Sequence, residues 1–144
     1  MRTFARSLAL LVLLCSAQAQ DEAAAPRFTA VNVFVDAQDS PLAAWQVELA
    51  GGQAVLISGV EGGEHAAFAN PPYFDTQALQ DNRIILAAFT TEKDLPAGKT
   101  RVARLMVMVE GAAEPKFEVR SSLAASADGK EITATVTLEE ERGR

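Results

Sequence analysis

Between Glu131 and Glu139 the chain alternates without a break, Ile132, Ala134, Val136 and Leu138 against Thr133, Thr135, Thr137 and Glu139. Only an extended strand satisfies a period of two, because successive side chains leave a strand on opposite sides and one set can then be buried. The same alternation recurs along most of the chain in short runs, broken by Gly, Pro, Asn and Asp clusters roughly every eight to fifteen residues. That spacing predicts an all-β, two-sheet β-sandwich. No long amphipathic helical pattern competes with it.

The runs assign faces. Val31, Val33 and Val35 share one side of a first strand, with Asn32 and Asp36 on the other, and Asp39-Ser40-Pro41 turns the chain. A second strand sets Ala43, Trp45, Val47 and Leu49 against Ala44, Gln46 and Glu48 and closes at Gly51-Gly52, and 54–60 forms a third. Residues 83–91 are so continuously apolar that they predict a central strand buried on both faces. In 102–109 the expectation is Ala103, Leu105, Val107 and Val109 inward and Arg104 outward, and in the next strand Phe117, Val119, Ser121 and Leu123 alternate with Glu118 and Arg120. Asp128-Gly129 predicts a tight turn, and 140–144 a frayed charged tail.

The first 19 residues are of another kind. Arg2 and Arg6 precede an apolar run from Leu8 to Leu14, followed by Ala17-Gln18-Ala19. This is the pattern of a secretory signal peptide cleaved after Ala19, which predicts a periplasmic or extracellular protein. The run is about half the ~20 residues that a membrane-spanning helix needs, and no later stretch is longer and uncharged, so no membrane span is expected. The competing route is a lipoprotein acylated at Cys15, which normally follows a small residue, whereas Leu14 stands there. Cleavage after Ala19 removes the only cysteine and leaves 125 residues, with 20–26 as a flexible lead-in and one domain over 27–139. That product carries 11 basic and 19 acidic residues. Its cations are scattered, which argues against nucleic acid as a partner.

The order of features resembles a cohesin domain. The likeness is carried by Leu42-Ala43-Ala44-Trp45-Gln46-Val47-Glu48-Leu49, by the valine-rich run ending Gly59-Val60-Glu61-Gly62, by a loop holding Phe68, and by Arg83-Ile84-Ile85-Leu86-Ala87-Ala88-Phe89. It implies a jelly-roll sandwich of about eight to nine strands, similar to carbohydrate-binding modules. It also implies a binding role, with a dockerin-like or other envelope protein, or a polysaccharide, as partner.

Catalysis finds little support in the residues. His65 is the only histidine, so a histidine metal cluster is excluded, and no nucleophile stands in a recognisable turn beside it. Asp36, Asp39, Glu61, Asp75 and Asp81 lie near turns but lack the regular ligand spacing of a calcium loop. The reading is therefore a non-enzyme with no cofactor and no metal. Trp45 is in register with core residues. That leaves the segment 64–82, where Asn70-Pro71-Pro72-Tyr73-Phe74-Asp75 sets two rings on a stiff backbone. Tyr73 and Phe74, with Asn70 and Asp75, are the candidate ligand-binding residues. The alternative is a structural or assembly protein of the envelope with no glycan ligand.

Overall fold

The computed structural model describes residues 24–141. The expected signal peptide, with Cys15, and the last three residues lie outside them. Seven strands form, one for each alternating run: β1 (Arg27–Asp36), β2 (Ala44–Gly51), β3 (Val55–Gly62), β4 (Arg83–Phe89), β5 (Lys99–Val109), β6 (Phe117–Ala125) and β7 (Thr135–Glu141). They make two antiparallel sheets, ordered β3-β5-β1-β7 and β4-β2-β6. The described residues thus hold fewer strands than the eight or nine that the resemblance implies. The segment 64–82 supplies two single-turn 3-10 segments, Ala66–Phe68 and Thr76–Ala78, and one isolated bridge, Tyr73 to Ala87.

The two sheets bury their facing sides. Val31, Val33 and Val35 from β1 and Leu105, Val107 and Val109 from β5 meet Trp45, Val47 and Leu49 from β2 and Ile84 and Leu86 from β4. Trp45, 2 % exposed, meets the edge of Phe68 with ring centroids 6.3 Å apart. Ile132, Ala134, Val136 and Leu138 pack against this core from the last strand and its approach. The Asp128-Gly129 turn closes with Gly129 at φ +78° and its N–H on the Ser126 carbonyl at 2.9 Å, a conformation that costs glycine little.

Three bulges set which residues face where. Val102 is the extra residue of β5 opposite β1, so Val102 and Ala103 are both buried. Ser58 is the extra residue of β3 and donates its hydroxyl to the Met106 carbonyl at 3.0 Å. Arg120 is the extra residue of β6: Val119 pairs with Leu49, but Ser121 pairs with Glu48. One inserted residue turns every later side chain to the other face. Leu123, expected inward, therefore points to solvent, and Ala124 takes the buried place.

β4 also departs from expectation. It is an edge strand, with β2 as its partner, and only Ile84 and Leu86 are buried while Ile85 and Phe89 are exposed. Its unbroken apolar character comes from one face in the core and a second, apolar face in water. β7 continues through Glu140 and Glu141, which pair with Val31 and Ala30. Glu140 meets Arg27 at 3.5 Å, and Glu141 and Glu61 both meet Arg104.

Candidate functional site

The prolines at 71 and 72 fix an extended approach, and Tyr73 then pairs with Ala87 through two backbone bonds, Tyr73 N–H to Ala87 O at 2.8 Å and Ala87 N–H to Tyr73 O at 3.0 Å. Residues directly opposite in an antiparallel bridge share a face. The Tyr73 side chain therefore joins Ala87 on the outer side of the sheet, where its ring lies nearly parallel to that of Phe89, at 13° and 6.2 Å between centroids.

Register extends this corner across the sheet. From the β4 side to the β6 side the outer residues fall in four rows: Phe89, Ala44, Ala125 and Glu131; then Tyr73, Ala87, Gln46 and Leu123; then Ile85, Glu48 and Ser121; then Arg83, Ala50 and Glu118. The first two rows are apolar apart from Gln46, the Tyr73 hydroxyl and Glu131 beyond β6. The last two hold the remaining charge, which is internally paired, Arg83 with Glu48 at 2.8 Å and Arg120 with Glu118 at 3.0 Å. Tyr73, Phe89, Leu123 and Ile85 are 71 %, 66 %, 49 % and 42 % exposed, four of the five large apolar side chains in the described residues that stand in water. The fifth, Phe28, is on the other sheet. There Phe28 shares a corner with the half-buried Met108 and Leu56, ion pairs occupy the rest of the outer side, Lys99 with Glu139 and Arg104 with Glu61 and Glu141, and Lys99 lies 4.6 Å over the Phe34 ring.

No family model, curated protein or solved structure matches the chain. What can be said of function rests on this geometry.

The structure separates the four candidate residues. Tyr73 is on the outer face. Phe74 turns the opposite way, half-buried against the core, as the next residue of an extended segment must. Asp75 caps the second 3-10 turn, accepting from the Gln77 N–H at 2.9 Å, and borders a hollow of about 310 Å³ with Gln77, Asp81 and Arg83. Asn70 is exposed beside the Gly62 backbone. His65 caps the first 3-10 turn: its Nδ1 accepts from the Ala67 N–H at 3.2 Å, which places its proton on Nε2, 3.9 Å from Asp94. Among the described residues, no group of three or more His, Cys, Asp or Glu could hold a metal ion, and no helix is long and apolar enough to cross a membrane.

Phe89, Ile85 and Leu123 had no signal as site residues in the sequence. Leu123 reaches the face only through the Arg120 bulge, and the other two are exposed because no further layer covers the outer side of β4.

Proposed function

We propose that this chain is an exported, non-catalytic docking module of cohesin-like type, and that it binds a protein through the outer face of the β4-β2-β6 sheet. The observation that carries the reading is the contiguous exposure of Tyr73, Phe89, Leu123 and Ile85 on one face whose arginines are paired with its own carboxylates. Taking about 200 Å² for each ring and somewhat less for each aliphatic side chain, these four leave on the order of 400 Å² of apolar surface in water, within the ~300–600 Å² of a typical monomer's largest patch, which is often functional. Burying it stabilises a complex by about 10 kcal/mol at 25 cal/mol per Å², comparable with the ~4–15 kcal/mol that association costs. The aliphatic half of the patch and its scarcity of hydrogen-bonding side chains favour a protein over a sugar, whose hydroxyls need partners around the ring.

A docking face also fits the sheet edges. Tyr73 pairs with β4, and residues 80 and 81 bond to Ile57 of β3 at 2.7 and 2.8 Å, so strand addition is blocked on that side. The test is photo-crosslinking in the native host from a benzophenone side chain at position 89, with position 28 as control. Protein adducts from 89 and none from 28 are expected. Polysaccharide binding that disappears in Tyr73→Ala/Phe89→Ala, without protein adducts, would replace the protein with a glycan. Amino-terminal sequencing of the exported chain should begin at Gln20.

A further inference from the structure

We infer that the protein partner anchors itself by a lysine side chain set into a hollow beside β6, with the Glu131 carboxylate receiving its ammonium. The inference rests on the docking-face reading and names the chemistry that the partner carries.

The hollow follows from where the chain changes sheets. After the turn at 126–130, Glu131 still faces Ala125, and the Ile132 N–H still bonds to the Ala124 carbonyl at 2.9 Å. Three residues later Thr135 pairs with Asp36 in the other sheet. Residues 132–134 therefore leave the β6 edge before they cover it, and a space of about 240 Å³ opens there. Ser122 marks the gap, because it lies two residues from buried Ala124, on the same side of the strand, yet stands in water.

The lining suits an alkyl stem with a cationic end. Val35 and Ala124 form a buried floor, and half-buried Ile132 and Val136 form walls. Glu131, Ser122 and Thr133 add a carboxylate and two hydroxyls, and these three side chains make no hydrogen bond or ion pair within the described residues. A lysine ammonium carries three N–H donors on one atom, and its stem packs on apolar surface while the head stays near water. Its compact head meets several acceptors at once, where an arginine's planar fork is matched to one carboxylate. Free ligands fit less well, since their sites run to roughly 300–1,000 Å³, and calcium takes about six to eight oxygens.

Charge selects the same place. Arg83, Arg120 and Lys130 are held by Glu48, Glu118 and Asp128 at 2.8, 3.0 and 3.0 Å, which leaves Glu131 without a cation at this margin of the face. Leu123 belongs both to the hollow and to the apolar face. A partner lying on Tyr73, Phe89 and Leu123 thus brings its own margin over Glu131, about one strand spacing of ~4.8 Å beyond β6.

Two readouts test this. The full chain, expressed for export and purified in its processed form, is titrated with Nα-acetyl-lysine methylamide at constant ionic strength and followed by amide NMR. The norleucine counterpart, which lacks the ammonium, is the control. Shifts confined to residues 122–124 and 131–136 are expected for the lysine compound in the parent and in Glu110→Gln, an exposed position just past β5. None are expected in Glu131→Gln or with norleucine. In the native host, the adduct from a benzophenone at position 89 should fall about fivefold in Glu131→Gln, the size of effect an exposed ion pair contributes. It should vanish in Glu131→Lys and persist in Glu110→Gln, with circular dichroism of the purified variants unchanged. Equal shifts from both compounds, no shifts, or shifts gathered at Asp75 and Asp81 overturn the inference, as does an adduct from 89 that is indifferent to Glu131→Lys. The docking-face reading stands in each of those cases while position 89 still captures a protein. No adduct from 89 in the parent removes that reading, and the inference with it.

Discussion

Replacing Phe68 with alanine tests how the segment 64–82 is held. Phe68 is 3 % exposed and lies edge-on to Trp45 at 6.3 Å, so it plugs the sandwich from outside either sheet. Removing a ring of about 200 Å² loses ~5 kcal/mol of transfer free energy by area, and truncations of buried Phe fall at about 3–5 kcal/mol. The described domain spans residues 24–141, and at about 2.1 cal/mol/K per residue its unfolding entropy near the midpoint is ~0.25 kcal/mol/K. A loss of ~4 kcal/mol therefore lowers Tm by about 16 °C, a large part of the ~5–15 kcal/mol that a domain possesses. Urea unfolding followed by fluorescence reads this directly, because Trp45 is the only tryptophan. Its native emission, blue in the parent, should move red in Phe68→Ala as water reaches the indole. Phe68→Leu should recover most of the loss, and Phe28→Ala, at a 70 % exposed position, should change stability by less than ~0.5 kcal/mol. A loss below ~1 kcal/mol for Phe68→Ala, with unchanged emission, would show that the segment does not seal the core.

Leu123→Thr should leave stability within ~0.5 kcal/mol of the parent, whereas Ala124→Leu should cost about 1–3 kcal/mol through overpacking; urea midpoints with the reverse order would place the Arg120 bulge wrongly. Gly62→Ala should destabilise by ~3 kcal/mol or fail to fold, because the new Cβ would stand 2.0 Å from the Ala69 carbonyl oxygen and backbone must shift; calorimetry reads the change, and an unaltered Tm would refute that packing. Asp128 should titrate below its ordinary 3.8, held down first by the Ser126 hydroxyl and then by Lys130. A depressed folded value means that its contribution to stability is complete above 3.8 and is lost as pH falls through the lower folded value. Carboxyl NMR titration should return Asp128 toward 3.8 in Ser126→Ala, and an unmoved curve would discard the hydroxyl as cause.

The inner half of the fold was legible because it is written in period two. Val31, Val33 and Val35, the alternation through Ile132 to Leu138, and Trp45 in register with Val47 and Leu49 all lie where the pattern places them. The outer half was less legible, for identifiable reasons. A bulge leaves no mark in hydrophobicity when its residue is as ordinary as Arg120, yet it reverses everything from Ser121 onward. An apolar run such as Ile84 to Phe89 reads identically whether its second face is covered by another layer or offered to a partner. The tail differed because Glu140 and Glu141 look like solvated ends alone and become strand residues only opposite Val31 and Ala30. Of the candidate site, Tyr73 was marked by its prolines, while its neighbours on the face come from β4 and β6, distant in sequence.

The segment between β3 and β4 bonds backward to Ile57 and forward to Ala87, and this fixes an order of events. Ala87 follows the segment in sequence, so the half of the clasp on Ile57 can close before the half on Ala87, which waits for residues 83–89. A chain threaded outward from its amino terminus meets that interval before β6 and β7 have emerged. Because β1 and β3 both take β5 as their partner, their edges stay bare until residues 99–109 arrive as well, and a slowed release anywhere between 83 and 109 should trap tangled species.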